Sequence, residues 1–301
     1  MKRVYLICTC LAFLLFIATF ISAVFEFTGA PSSIASLNYQ TEKYQHNEAF
    51  DPSLARLDNL TRLTAYCDSL FSVKKGLSNN TINAEKEFPL IASEVVRNRF
   101  YHGLSSFGFG NNYLAYLANP FYMRMFLNAP VKTNDILKFP AAICSQQAMV
   151  LMALLQKKGY PVRKVGFIRQ FASGHFCLEA FYANSWHYFD TDLEPDTTIL
   201  NAYDRPGIKF LVENREILKK VYIKEDPVKI ATLFPSYFYG KVNEPLAGKA
   251  AIYGSITKFL SYTIWIFFLL AFSWARRKYL RLSNYRYVRN RRFSFSQLQP
   301  G

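Results

Sequence analysis

Cys144, His175 and Asp190 have the residue types and the chain order that suit nucleophilic catalysis. A catalytic thiol needs an imidazole that shares its proton and a third group that holds this ring. Cys144 stands at the start of a predicted helix, where the positive end of the helix dipole favours a thiolate. His175 begins one predicted strand and Asp190 ends the next, so the sequence predicts a Cys-His-Asp triad.

The elements that must position this triad follow from the spacing of apolar residues. An apolar stripe at helical spacing predicts a helix over residues 144–158, and Gly159 stands where a helix-terminating glycine belongs. Three strand-like stretches come next, which are Val162–Ile168, His175–Tyr182 and Trp186–Asp190. Turn residues separate the second stretch from the third, which predicts a hairpin.

The hairpin can bring His175 to Asp190 only in certain registers. Side chains alternate along a strand, and directly opposite residues share a face. Because the two residues are fifteen positions apart, the hairpin loop must contain an even number of residues. We therefore expect a two-residue loop at 183–184 that pairs Tyr182 with Ser185. His175 then becomes the diagonal neighbour of Asp190, within side-chain reach.

The segments around these residues resemble a known family. The stretch AAICSQQAMVLMALLQKKGYPVRKVGF, followed by GHFCLE and WHYFDTD, is similar to the transglutaminase-like superfamily, a branch of the papain-like thiol enzymes. The residues that carry the similarity are Cys144, Ala148, Gly159, Pro161, Arg163, His175, Glu179, Trp186 and Asp190. The segment VVRNRFYHG at 95–103 resembles the helix that precedes the family's active site, so the match covers roughly residues 90–195.

The resemblance implies an α+β fold with a papain/transglutaminase-like core, in which N-terminal helices precede a catalytic helix packed on an antiparallel sheet. It also implies acyl chemistry on an amide, where His175 takes the proton of Cys144 and the thiolate attacks the carbonyl. Asp190 fixes the tautomer of the ring, and the backbone N–H at the helix start stabilises the oxyanion. Water or an amine then resolves the thioester, so hydrolysis and transfer both stay open.

Two departures from the family pattern bear on this activity. Ala142 stands where the family has a glycine two residues before the cysteine, and Cys177 replaces the aromatic residue two after the histidine. Cys177 shares a strand face with His175, and a disulfide from it to Cys67 or Cys144 would silence or regulate the site. The alternative function is therefore a catalytically inactive scaffold that binds a partner in a surface or envelope complex.

Other roles for the polar residues of this region are disfavoured. Cysteine and histidine are common metal ligands, so Cys144, His175, Cys177 and His187 could form a metal site by residue type. Alternation places His187 on the strand face opposite to Asp190, which argues against this site. We therefore expect no metal and no cofactor. We expect Glu179 to pair with a nearby arginine or backbone group rather than to act as an acid.

Two charge-free apolar runs predict membrane spans. Val4–Phe25 and Phe259–Ala275 have the length that a spanning helix needs, roughly 17–25 residues. The first run exceeds the apolar region of a signal peptide, roughly 7–15 residues, which favours an uncleaved anchor. The predicted domains are an anchor (1–25), a stalk (26–50), an extracytoplasmic domain (51–250), a transmembrane helix (255–275) and a basic cytoplasmic tail (276–301).

The net charge of +15 lies mainly at the two ends of the chain. Ten of the fifteen excess positive charges flank the spans, as Lys2, Arg3 and eight basic residues after position 275. This positive-inside pattern predicts that both termini are cytoplasmic, and nucleic acid is not expected as a partner. We expect an integral protein, of a bacterial inner membrane, that acts on an extracytoplasmic protein or peptide. Anionic lipid is the partner expected at the basic tail.

The rest of the outer domain is predicted to be largely helical. Periodic apolar residues predict helices over 54–76 and 84–101, and again near 210–219 and 227–233. Residues 103–130 are rich in aromatic residues, glycine and asparagine, and only a short helix around 121–126 is predicted there. The aromatic stretch 106–126 is expected to be a lid or a packed insertion, with contact to the membrane surface as the alternative.

Overall fold

The computed structural model describes residues 2–28, 50–77, 84–122, 128–168, 174–193, 195–244 and 247–296. The predicted stalk lies almost wholly outside these residues. Contacts within the chain divide it into two units. The helical unit comprises Met1–Ala30, Phe107–Asn128 and Ile252–Gly301, and the mixed unit comprises Pro31–Ser106 and Ala129–Ala251.

Helices predominate over strands in the described residues. The helices are α1 (Lys2–Thr28), α2 (Leu60–Leu77), α3 (Ala84–Arg99), α4 (Phe109–Tyr122), α5 (Thr133–Ile136), α6 (Cys144–Lys157), α7 (Thr197–Ala202), α8 (Ile208–Glu213), α9 (Arg215–Val221), α10 (Pro227–Leu233) and α11 (Gly248–Ser296). The strands are β1 (Tyr101–His102), β2 (Ala141–Ala142), β3 (Val162–Phe167), β4 (His175–Tyr182), β5 (Ser185–Phe189) and β6 (Tyr237–Tyr239).

Two helices are long and apolar enough to cross a membrane, over Lys2–Thr28 and Gly248–Asn284. Apart from Gly248–Ala251, both belong to the helical unit. Apolar side chains of α1 such as Ile7, Leu14 and Phe25 are 65%, 64% and 61% exposed. Water does not stabilise such a surface, whereas hydrocarbon does. Both predicted spans lie within these helices, which are therefore candidates for membrane insertion.

Residues 107–128, which contain nearly all of the aromatic stretch, belong to the helical unit, although the sequence places them inside the outer domain. Its helix α4 packs on α1, where the Glu26 carboxylate accepts a hydrogen bond from the backbone N–H of Tyr113 at 3.3 Å. Lys258 of α11 forms an ion pair with the same carboxylate, and the Ser261 hydroxyl donates to it at 2.9 Å. A buried polar cluster thus joins the three helices of this unit.

The mixed unit contains a four-stranded antiparallel sheet with the order β5-β4-β3-β6. Ala183 and Asn184 form the turn between β4 and β5, with φ values of 45° and 63°. Two successive positive φ values are typical of a type I′ turn, whose twist suits a two-residue hairpin. Tyr182 pairs with Ser185, and the ladder continues without a bulge to the pair of Leu178 and Phe189. The predicted register is confirmed.

Two apolar cores cover the two faces of this sheet. Leu178 and Ala180 of β4 pack with residues of α2, α3 and α6 in the first core. Val165 and Cys177 point to the other face, where they pack with residues of α7 to α10. The fold is thus a mixed α and β structure in which α6 packs on an antiparallel sheet, as the α+β prediction expects.

The predicted helices are present with altered boundaries. The helices expected at 84–101, 210–219 and 227–233 correspond to α3, to α8 with α9, and to α10. The helix expected from residue 54 divides into a 3₁₀ turn, Pro52–Arg56, and α2. The division arises because the Asn59 side chain caps the new helix, accepting from the backbone N–H of Arg62 at 3.0 Å. The helix expected around 121–126 overlaps only the end of α4, and residues 123–126 lie outside the described residues.

Candidate active site

Cys144 is the first residue of α6, and the buried side chain of Gln146 anchors this end of the helix. Gln146 Oε1 accepts from the backbone N–H groups of Ile143 and Ser105, each at 3.3 Å. Gln146 Nε2 donates to the backbone oxygen of Pro130 at 3.0 Å. Cys144 itself is only half-buried. The residue is therefore held at a fixed helix start and is partly accessible to solvent.

Ala142, the first departure from the family pattern, lies in a short parallel ladder beside the helix start. It pairs with His102 of β1, and its side chain is fully buried. Its backbone oxygen accepts from Gln147 Nε2 at 3.0 Å. The extra methyl group is therefore accommodated by packing within the mixed unit.

His175 and Asp190 form a buried pair at one end of the hairpin, where His175 Nε2 lies 2.8 Å from Asp190 Oδ2. The other carboxylate oxygen accepts from the backbone N–H groups of Asp192 and Leu193 at 3.0 and 3.1 Å. The Tyr222 hydroxyl donates to Oδ2 at 2.9 Å. Burial alone would raise the pKa of Asp190, but the His175 ring and the two backbone donors hold it well below its usual range. Asp190 is therefore a carboxylate fixed to one ring nitrogen.

The Cys144 thiol lies on the other side of the same imidazole. The thiol sulfur, a His175 ring nitrogen and an Asp192 carboxylate oxygen all lie within 4.8 Å of one another. Because Nε2 binds Asp190, Nδ1 is the nitrogen left to exchange a proton with the thiol. Burial acts to lower the pKa of His175, but the Asp190 charge and the hydrogen bonds of the ring raise it well above its usual value. The ring therefore holds a proton readily, as a base that pairs with a thiolate must.

Cys177, the second departure from the family pattern, lies beside the same imidazole. Its sulfur is 3.0 Å from His175 Nε2 and accepts from the Tyr188 hydroxyl at 3.1 Å. Burial, reinforced by the charge of Asp190, raises the pKa of Cys177, so this residue is a neutral thiol at pH 7. A neutral thiol is a weaker acceptor than a carboxylate. Asp190 is therefore the dominant partner of Nε2.

The disulfides considered for Cys177 are not formed. All five cysteines of the chain are free thiols. Cys67 is buried in the core on the other face of the sheet, so the sheet separates it from Cys177. Burial, together with the charge of Asp68, raises the pKa of Cys67 to about 12, which makes it an inert thiol.

Two residues at the site were not predicted from the sequence, Asp192 and His102. Asp192 Oδ1 lies 2.5 Å from His102 Nδ1 and accepts from Gln147 Nε2 at 3.3 Å. Asp192 Oδ2 lies 4.0 Å from His175 Nδ1, which places a second carboxylate on the thiol side of the ring. Both residues belong to segments that the family resemblance covers. Their contact spans ninety positions of the chain, so no local pattern indicates it.

Glu179 pairs with an arginine and a backbone N–H group, as expected, and His187 packs on the opposite face of the hairpin. Glu179 Oε2 accepts from Arg163 Nε at 2.8 Å, and its Oε1 accepts from the backbone N–H of Ile208 at 2.7 Å. The His187 ring stacks on Tyr182 with centroids 3.7 Å apart. Within the residues that the structure describes, His187 belongs to neither cluster of potential metal ligands.

A cavity of about 390 Å³ adjoins the start of α6. Its wall includes Ser145 and Phe176, which directly follow Cys144 and His175 in the chain. Alanine and methionine side chains of α6 form an apolar floor, and the lining also includes three charged residues, Lys164, Lys241 and Glu244. Its volume is in the range of ligand pockets. The lining does not include Cys144 or His175 themselves, so the cavity lies beside the proposed site rather than at the thiol.

Comparisons with known proteins do not assign this chain to a family. No family model matches the sequence, and neither a curated protein nor a solved structure matches it significantly. The resemblance of residues 90–195 to the transglutaminase-like superfamily therefore stays a prediction. The function has to be argued from the side chains of the site.

Proposed function

We propose that the mixed unit is a thiol enzyme that acts on amide bonds through a Cys144 thioester. The observation that carries this proposal is the placement of one buried imidazole between a carboxylate and a thiol. Asp190 binds one nitrogen of His175 at 2.8 Å, and the Cys144 sulfur lies within 4.8 Å of a nitrogen of the same ring. A nucleophile, a base and a group that orients the base are the three components of thiol catalysis.

The reaction uses each group in turn. His175 Nδ1 accepts the thiol proton, and the Cys144 sulfur attacks the amide carbonyl. The oxyanion receives hydrogen bonds from the first N–H groups of α6, which have no partner within the helix. His175 then gives its proton to the leaving amine, and the thioester forms. Water or a second amine then attacks the thioester and gives a proton to His175. The acyl group leaves the sulfur, and His175 returns this proton to the Cys144 thiolate.

The proposed substrate is an amide group of a protein or peptide, with envelope proteins or cell-wall peptides as the class that suits an outer location. The cavity beside Ser145 supports this class because its apolar floor can bind the side chain on the acyl side of the amide. Cys144 is half-buried rather than enclosed, which leaves room for a polymer chain to approach. Hydrolysis and transfer differ only in the second nucleophile.

The proposed location is a membrane with the mixed unit on its outer side. α1 and α11 supply two helices of spanning length, and the basic residues beyond them favour cytoplasmic termini. The arginine-rich tail would then face the anionic lipid of the cytoplasmic leaflet. Two anchors would keep the thiol close to substrates at the membrane surface.

The second candidate is an inactive transglutaminase-like scaffold. The observation that favours it is the contact of 3.0 Å between the Cys177 sulfur and His175 Nε2. A thiol at this position competes with Asp190 for the proton on Nε2, and it replaces an aromatic residue of the family pattern. A scaffold would use the same fold to bind a partner without turnover.

Labelling with an electrophilic peptide amide separates the two candidates. We expect the probe to form a covalent adduct at Cys144 of the solubilised full-length protein. The adduct should be absent in Cys144→Ser and strongly reduced in His175→Asn, and Cys67→Ser should label like the wild type. A folded protein whose half-buried Cys144 does not react would favour the scaffold.

A further inference from the structure

The active-site cluster also has the composition of a three-ligand metal site. Within the described residues, the ligand atoms of Cys144, His175 and Asp192 lie within 4.8 Å of one another. Thiolate, imidazole and carboxylate are the ligands of protein-bound zinc, and sites with three protein ligands keep a fourth position for water. We propose that these three residues bind a zinc ion, and that the ion switches the thiol off.

The distances require little movement. His175 Nδ1 and Asp192 Oδ2 are 4.0 Å apart. Bonds of about 2.0–2.3 Å in a tetrahedron place ligand atoms roughly 3.3–3.7 Å apart. The three ligand atoms lie within 4.8 Å of one another, so side-chain movements that shorten each separation by about 1.5 Å or less close the set around an ion. The half-buried position of Cys144 leaves the fourth position open to water.

The groups behind the ligands are those that metal sites use to orient them. His175 Nε2 binds Asp190 at 2.8 Å, so a carboxylate fixes the ring with Nδ1 directed at the ion. Asp192 Oδ1 is held by His102 at 2.5 Å and by Gln147 at 3.3 Å, which leaves Oδ2 available. Both ligand side chains are nearly inaccessible to solvent, with exposures of 7% for His175 and 4% for Asp192. The cluster is thus ordered before any ion arrives.

A neighbouring cluster of His175, Cys177 and Asp190 also has ligand atoms within 4.8 Å. It is the weaker candidate because all three residues are buried and Nε2 already binds Asp190. Tyr222 also occupies Asp190 Oδ2 with a hydrogen bond of 2.9 Å. Ion binding there would break this network, and the two clusters share one imidazole.

Binding of zinc converts the Cys144 thiol into a metal-bound thiolate. The Cys144 S–H bond breaks, its proton passes to solvent, and the sulfur forms a bond to the ion. The same event occupies His175 Nδ1, so the nucleophile and its base are blocked together. The inhibitory effect rests on the proposed thiol function, whereas binding of the ion does not.

Cobalt(II) provides a test that does not need activity. We expect the reduced, untagged full-length protein in detergent to bind cobalt with a thiolate charge-transfer band and strong four-coordinate visible bands. Zinc should displace cobalt and abolish these bands. Cys144→Ser should remove the thiolate band, and Asp192→Asn should weaken binding at least about tenfold. Cys177→Ser, which removes a thiol only from the neighbouring cluster, is the matched control and should bind like the wild type.

The outcomes separate the two proposals. Loss of the band in Cys177→Ser, a wild-type band in Cys144→Ser, or a wild-type affinity for cobalt in Asp192→Asn would overturn the assignment of ligands. A zinc-induced rise in melting temperature that is lost in Cys144→Ser and Asp192→Asn gives a second readout independent of spectroscopy. Cobalt bands without any thiol reaction toward amides would sustain the metal site and refute the enzyme. Amide turnover that zinc does not inhibit would refute the switch.

Discussion

His175 Nε2 and Asp190 Oδ2 lie 2.8 Å apart although fifteen positions of the chain separate the two residues. The contact exists because the turn at Ala183 and Asn184 has two residues, which places His175 and Asp190 on the same face of the hairpin. A three-residue loop would direct Asp190 to the opposite face. The arrangement of the proposed catalytic residues therefore depends on the geometry of one hairpin turn.

The role of the thiol can be tested by exchange of single cysteines. Cys144→Ser should abolish thiol-dependent activity, and it should preserve the fold because the change is nearly isosteric. Cys67→Ser removes a fully buried thiol in the first core and should retain activity. Steady-state kinetics with far-UV circular dichroism checks both. Activity that survives Cys144→Ser but not Cys67→Ser would show that the nucleophile is wrongly assigned.

The orienting role of Asp190 predicts a loss in turnover. Asp190→Asn leaves the shape of the site similar but removes the charge that holds the ring. We expect kcat to fall by about 10²–10⁴, as in other enzymes whose triad acid is replaced. KM should change little, because Asp190 is buried behind the imidazole. A variant with wild-type kcat would exclude Asp190 from the proposed mechanism.

The same pair predicts a pH dependence of stability. The pKa of Asp190 is lower in the folded state, so its contribution is present above its unfolded pKa and is lost as the pH falls. The pKa of His175 is higher in the folded state, so its contribution is present below its unfolded pKa and is lost as the pH rises. The wild type should therefore exceed Asp190→Asn in free energy of unfolding most clearly between about pH 4 and pH 6.5. Urea titrations across this range measure the difference, and a constant difference from pH 3 to pH 9 would contradict the pairing.

Burial predicts which thiols react in the folded protein. Cys177 is 1% exposed and Cys67 is fully buried, whereas Cys144 is half-buried. Iodoacetamide should therefore modify Cys144 under native conditions and reach the other two only after unfolding. Peptide mapping by mass spectrometry, before and after addition of denaturant, shows the order in which the three cysteines are modified. Rapid native modification of Cys177 would mean that the site is more open than its packing indicates.

The membrane prediction concerns the position of the two termini. Ten of the fifteen excess positive charges flank the outer ends of the spans. Compartment-specific reporters at residue 301 and near residue 200 should therefore give opposite signals. Equal signals at the two positions would exclude the two-span arrangement.

The sequence predicted the hairpin well and the surroundings of the thiol only in part. Period-two alternation and the turn residues at Ala183 and Asn184 determine the register, and both are local signals. The pair of His102 and Asp192 depends on a contact across ninety positions, which periodicity does not encode. The helix α4 was missed because aromatic residues, glycine and asparagine in its segment hide the helical period.

The most direct measurement is the rate of Cys144 alkylation at pH 6 in the wild type and in His175→Asn. A thiol without a partner is almost fully protonated at this pH and reacts slowly. If His175 takes the proton, the wild type should react at least about tenfold faster than His175→Asn. His187→Asn, which removes a buried imidazole on the opposite face of the hairpin, is the matched control and should react like the wild type. Equal rates in the wild type and His175→Asn would contradict a catalytic pair of Cys144 and His175.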